Sequence, residues 1–173
     1  AWRRFNKAPA IGKALLAERS LTNPDAATLG CRRCTPRAPI RGTIILSMAR
    51  VFLCNPPTTE LVRTPLLSFL YLAAALRRAG HEVAVLDASA PSAPKTAEAI
   101  AERIATFAPD LVGLHIKTLY VQPAYALAQA LSQRSDVPLV AGGPHATVCP
   151  EEPLHHGYTY VLRGEAEESL CEL

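Results

Sequence analysis

The sequence predicts an α/β fold, an open and doubly wound five-stranded parallel sheet in three αβα layers. Two observations predict it. From residue 50 onward, apolar runs of about five residues alternate with amphipathic stretches of about 13 residues, which is the pattern of βαβ units with right-handed crossovers. The runs are apolar throughout rather than alternating, as expected of strands covered by helices on both faces. Composition agrees: 49% hydrophobic and 19% charged residues exclude a wholly disordered chain, and 173 residues suffice for one ordinary domain.

The elements follow in order. Arg50 to Cys54 reads as the first strand, stopped by Asn55-Pro56-Pro57. Pro65 to Ala79 reads as a helix with Thr64 as N-cap, Pro65 at its first position and Gly80 past its end; Leu66, Phe69, Leu70, Ala73 and Leu76 share one face. Glu82 to Leu86 is the second strand, and Ala93 to Phe107 a helix with Ile100, Ile104 and Phe107 on one side. Asp110 to Ile116 is the third strand, Gln122 to Arg134 a helix, and Val137 to Ala141 a fourth strand that ends at Gly142-Gly143-Pro144. A short helix near Pro150 to His155 leads to a fifth strand, Tyr158 to Leu162. Arg163-Gly164-Glu165 opens a last helix that the chain end cuts short.

Residues 1–48 are of another kind. They hold nine Lys/Arg against Glu18 and Asp25, a net of +7, and are broken by Pro24, Gly30, Pro36, Pro39 and Gly42 after a possible short helix at 10–18. Residues 49–173 hold nine Lys/Arg against thirteen Asp/Glu, a net of −4. The overall +3 is therefore no sign of a nucleic-acid partner. The expectation is a basic extension, 1–48, disordered or outside the fold, and a folded domain at 49–173. The only Met, Met48, stands at the junction. No apolar run is long enough for a membrane span. Five scattered cysteines and no apolar leader point to a reducing, cytoplasmic setting.

Ligands of such sheets bind at the carboxyl ends of the strands, so the loops there carry the functional reading. The first, Cys54 to Glu60, has no glycine and two prolines, which excludes a dinucleotide fingerprint; Asp87 is then a strand-end cap rather than a ribose ligand. No P-loop, no Gly-x-Ser-x-Gly elbow and no Ser-His-Asp logic is present, so the chain shows no catalytic machinery. Cys31 and Cys34 lack a partner pair for metal, Cys54 reads as core, and Cys149 and Cys171 lack a basic or histidine setting; no protein metal site is expected. His81 reads as structural, His155 and His156 as solvent-facing, and His145, in the double-glycine loop, as functional.

Val51 to Pro57, Leu70 to Leu76 with Ala79 to Val83, Gly142 to Thr147, Pro150 to Glu152, and Val161 to Glu167, where Ala166 replaces a glycine, form a set of stretches. Together they resemble the cobalamin-binding domain that precedes the catalytic barrel of many radical S-adenosylmethionine (SAM) enzymes. The resemblance covers about 49–173. It implies a flavodoxin-like sheet of order 2-1-3-4-5 that holds the corrin ring over the strand ends, with the nucleotide tail between sheet and helices. It implies cofactor contacts from Asn55, Pro56, His115, Lys117, Thr118, Gly142, Gly143, Pro144 and His145. The loop 54–64 has no histidine to ligate cobalt, and His115 stands where such domains carry a serine. The three-cysteine spacing for an iron–sulfur cluster is absent. The cluster and SAM are thus expected only in a radical SAM domain beyond Leu173. The competing expectation is a cofactor-free αβα domain that docks on a catalytic partner or shapes its substrate entrance.

Overall fold

The computed structural model describes residues 48–58 and 66–173, and the backbone of Leu15–Leu16. The elements are β1 (Leu15–Leu16), β2 (Arg50–Asn55), α1 (Leu67–Arg78), β3 (Glu82–Asp87), α2 (Ala97–Phe107), β4 (Leu111–His115), a 3₁₀ turn (Thr118–Tyr120), α3 (Val121–Ser132), β5 (Leu139–Gly142), α4 (Pro144–Val148), α5 (Glu151–His155) and β6 (Tyr160–Val161). Strands β2 to β6 are all parallel, in the order β3-β2-β4-β5-β6. This is the 2-1-3-4-5 order of a flavodoxin-like sheet. β1 adds two antiparallel residues outside β6, Leu15 opposite Val161 and Leu16 opposite Tyr160. These two fall where the sequence suggests a short helix. The rest of 1–47, with Cys31 and Cys34, and the segment 59–65, with Thr64 and Pro65, lie outside the described residues.

Strand side chains alternate between faces, which sorts the core into two layers. Phe52, Cys54, Val112, Leu114, Leu139, Ala141 and Val161 meet α2 and α3 through Ile100, Ile104, Leu127 and Leu131. Val51, Leu53, Val83, Val140 and Leu162 meet α1 through Phe69, Ala73 and Leu76 on the other face, together with Leu170. Thus two long helices cover one face, whereas α1 and the C-terminal turns cover the other. That imbalance leaves room on the α1 face.

The structure departs from the sequence reading at five points. Helix α1 starts after Leu66 with no side-chain cap, and Leu70 is 50% exposed although the periodicity places it inward. The helix touches the sheet along one narrow stripe, Phe69, Leu72, Ala73 and Leu76, and Leu70 falls beside it. Its C-terminus is as expected: Gly80 (φ +93°) closes a Schellman turn, with Gly80 N–H donating to Arg77 O and His81 N–H to Leu76 O. The loop after β5 is not irregular but forms the short helix α4. Residues 163–173 form turns rather than a helix, with one helical bond from Leu170 N–H to Ala166 O. Strand β6 is only two residues, although Thr159 N–H to Leu139 O and Leu162 N–H to Ala141 O extend its ladder at both ends.

Candidate functional site

The strand register shows how the site is made. One row across the α1 face runs Val85, Leu53, Gly113 and Val140. Gly113 breaks this row of large side chains at the middle of the sheet, and a Cβ there would stand 2.9 Å from Leu53 Cδ2. The next row, at the carboxyl ends, places Asp87 beside Asn55 and His115 beside Gly142. Two glycines in adjacent strands therefore leave a trench. Phe69 and Leu72 of α1 wall it on one side, and Leu162, Ala166 and Leu170 on the other. The result is an apolar cavity of about 520 Å³, within the usual range of small-molecule pockets. Its mouth opens at Gly142, Gly143, Pro144 and Gly164, where such sheets bind ligands.

A polar chain sets the chemistry of the rim. Asp87 accepts from Asn55 Nδ2 (2.8 Å), Ser89 N–H (3.0 Å) and the Ser89 hydroxyl. Burial pushes the Asp87 carboxyl up, but the hydrogen bonds from Ser89 and Asn55 outweigh it and hold the group below the usual range. With its amide donating to Asp87, Asn55 presents Oδ1 to His115 Nδ1 at 3.3 Å. Neutral His115 then carries its proton on Nδ1 and leaves Nε2 as an acceptor beside Gly143. Burial lowers the His115 pKa to about 4, and the Lys117 charge adds to this against the opposing pull of Asp87.

The sign of the pH effect follows. A histidine whose folded pKa lies below its ordinary 6.5 contributes stability that is complete above that value and is lost as the pH falls through about 4. Asp87, held low, acts in the same direction. Urea unfolding should show a smaller loss of stability between about pH 7 and about pH 4.5 in His115→Gln than in the parent chain. Equal losses would contradict the assignment.

The double-glycine loop is bent by Gly143, whose φ of +97° disfavours any side chain. A Cβ there would also stand 2.5 Å from His115 Cδ2 and 2.8 Å from Nε2. Thr147 ties this loop to the next. Its hydroxyl donates to Gly143 O (3.0 Å) and accepts from Gly164 N–H (3.0 Å), while Arg163 Nε donates to Thr147 O (3.2 Å). The Gly142 to Thr147 and Arg163 to Glu167 segments thus act as one rim.

Of the nine residues singled out in the sequence, His115, Gly142, Gly143 and Pro144 line the cavity. Asn55 reaches it only through His115, and Pro56, Lys117 and Thr118 do not line it. His145 is buried and points elsewhere, its Nδ1 3.4 Å from Thr118 Oγ1 and its Nε2 3.3 Å from the Tyr125 hydroxyl. Gly113 and Thr147 were not singled out. A glycine inside a buried strand is the signal that would have found Gly113. Cys54 is fully buried and its thiol is pushed up by burial, as core. His81 is structural, its Nδ1 accepting from Ala49 N–H (3.2 Å). His156 is exposed at one side but stacks on Tyr125, with ring centroids 3.8 Å apart. Cys149, expected to lack a histidine nearby, has His145 one helical turn away. No helix among the described residues is long and apolar enough to cross a membrane.

Known proteins resemble this chain in sequence and in fold. The chain is 32% identical over 137 residues to the uncharacterized methyltransferase PH0819 of Pyrococcus horikoshii, covering 74% of this chain and 29% of that protein. Its fold superposes on the radical S-adenosylmethionine methyltransferase TsrM from Kitasatospora setae, solved with cobalamin and a [4Fe-4S] cluster bound. The TM-score is 0.59 at 26% identity, over 72% of this chain and 24% of that one. The cobalamin-dependent S-adenosylmethionine radical enzyme OxsB, solved with aqua-cobalamin and S-adenosylmethionine, shares the fold at 19% identity and a TM-score of 0.59, over 73% of this chain and 19% of that one. The chain thus spans less than a third of the length of each of these proteins. The family model described as the B12 binding domain matches residues 62–173. With its 2-1-3-4-5 sheet and its glycine-floored cavity at the strand ends, the chain belongs to the B12-binding domain family.

Proposed function

We propose that this domain carries cobalamin for a radical SAM enzyme of the methyltransferase kind, with the corrin over the carboxyl ends of β2, β4 and β5 and the nucleotide tail in the cavity. The observation that carries the reading is the trench itself. Gly113 and Gly142 remove two side chains from the middle of the α1 face, and nothing lies within 4 Å of where a Gly142 Cβ would be. Apolar walls with few polar groups suit a flat aromatic base, and the cavity runs from the strand ends into the layer between sheet and α1. Cobalamin, when bound, supplies a cobalt centre able to carry a methyl group or exchange electrons.

In this reading the chain's own residues bind and orient. Gly142 and Gly143 let the ligand approach the backbone, Phe69 and Leu72 pack on the tail, and His115 Nε2 accepts a hydrogen bond at the rim. Thr147 keeps the two rim loops in register. The iron–sulfur cluster and SAM belong to a catalytic barrel, which follows this domain in the proposed enzyme.

The test compares the full chain's affinity for hydroxocobalamin and for cobinamide, which lacks the nucleotide tail. Cobalamin should bind at least roughly 100-fold more tightly, about 2.7 kcal/mol. Equal affinities would remove the tail from the cavity.

One observation favours the second reading, a cofactor-free docking domain. Leu67, Leu70 and Tyr71 of α1 are 61%, 50% and 60% exposed beside the cavity wall, an apolar patch suited to a protein partner. Folded protein without corrin affinity would select that reading.

A further inference from the structure

His145, buried but turned away from the cavity, belongs to a second group of side chains. His145 and Cys149 are four residues apart across α4, and Cys149 N–H donates to His145 O at 2.8 Å, so one turn of backbone brings both side chains to the same place. Helix α5 adds Glu152, whose Oε2 lies 3.3 Å from His145 Nε2. One ligand atom from each of the three lies within 4.8 Å of the other two. We propose that His145, Cys149 and Glu152 form a binding site for a thiophilic divalent cation of the zinc class, with a fourth position open to water.

The chemistry of the set selects the cation. An imidazole, a thiolate and a carboxylate match zinc, whereas magnesium and calcium require oxygen ligands. Bond lengths of about 2.0–2.3 Å in a tetrahedron place ligand atoms about 3.5 Å apart. The His145–Glu152 separation already meets this, and Cys149, which is only half-buried, closes the remainder by turning its side chain.

The surroundings orient each ligand. Thr118 Oγ1 stands 3.4 Å from His145 Nδ1, so that an Nδ1–H donating there leaves the Nε2 lone pair for the metal. Tyr125 donates to Glu152 Oε1 at 3.1 Å and leaves Oε2 directed at the site. Binding a cation releases whatever protons its ligands carry, so affinity falls as the pH drops. The site joins α3, α4 and α5 immediately behind the double-glycine loop.

The test uses the full chain with Cys31→Ser and Cys34→Ser, which removes the other closely spaced thiols, and Co²⁺ alone as the probe. One equivalent should bind with a thiolate-to-cobalt charge-transfer band that Zn²⁺ displaces. Cys149→Ser should abolish the band, and Cys149→Ser and Glu152→Gln should each weaken binding at least about tenfold. Circular dichroism checks that both variants, at partly exposed positions, remain folded. A band that persists in Cys149→Ser, or a folded parent that takes up neither Co²⁺ nor Zn²⁺, would overturn the proposal. Neither readout depends on cobalamin.

Discussion

Gly142→Leu is expected to remove hydroxocobalamin binding and leave the fold intact. Gly142 ends β5 at an ordinary φ, and a Cβ there meets nothing within 4 Å. Its side chain would therefore enter the cavity of about 520 Å³ rather than the backbone or the core. A leucine at a strand end changes stability by no more than about 1 kcal/mol. In the proposed binding mode it fills the space of the nucleotide tail, so affinity should fall at least roughly 100-fold. Absorbance titration with hydroxocobalamin, paired with a urea unfolding curve, reads both effects. Retained affinity in a folded variant would place the ligand elsewhere.

Gly143→Val should do the reverse of what its neighbour does and damage the fold first. The backbone of Gly143, at φ +97° and ψ −175°, lies in a region essentially reserved for glycine and costs a side-chain-bearing residue about 1–3 kcal/mol. Overlap with the His115 ring, 2.5 Å from the added Cβ, adds about 1–3 kcal/mol. The sum is a loss of roughly 2–6 kcal/mol, read as a lower urea midpoint. The two parts separate by a double-mutant cycle. His115→Ala relieves the overlap but not the backbone strain, so Gly143→Val should cost about 1–3 kcal/mol less in that background. An unchanged cost would assign the whole effect to the backbone.

The sheet was legible because its signal is local and repeated. Five buried apolar runs with helices between them fix strand direction and the handedness of the crossovers, and the 2-1-3-4-5 order followed from the resemblance. The ends of elements were less legible. Nothing in Leu66 to Leu76 distinguishes Leu70, left exposed, from Leu72, which packs on the sheet, because the width of the contact stripe is set by the neighbour. The five residues Pro144 to Val148 are too few for periodicity to reveal a helix. Missing that helix also hid the approach of Cys149 to His145.

The candidate site, taken as the cavity lining, was half legible. Gly142, Gly143, Pro144 and His115 stand together because the carboxyl ends of adjacent parallel strands must meet. The effect of Gly113 is silent in the sequence because it depends on cross-strand register, which places Gly113 between Leu53 and Val140. His145 was placed in the site because its loop is, but the helical turn that begins at Pro144 carries its side chain away toward Tyr125 and Glu152.

Equilibrium dialysis of the full chain against hydroxocobalamin tests the central claim most directly. The proposed function predicts one corrin retained per chain by the parent and none by Gly142→Leu. Folded parent protein that retains no corrin would contradict it.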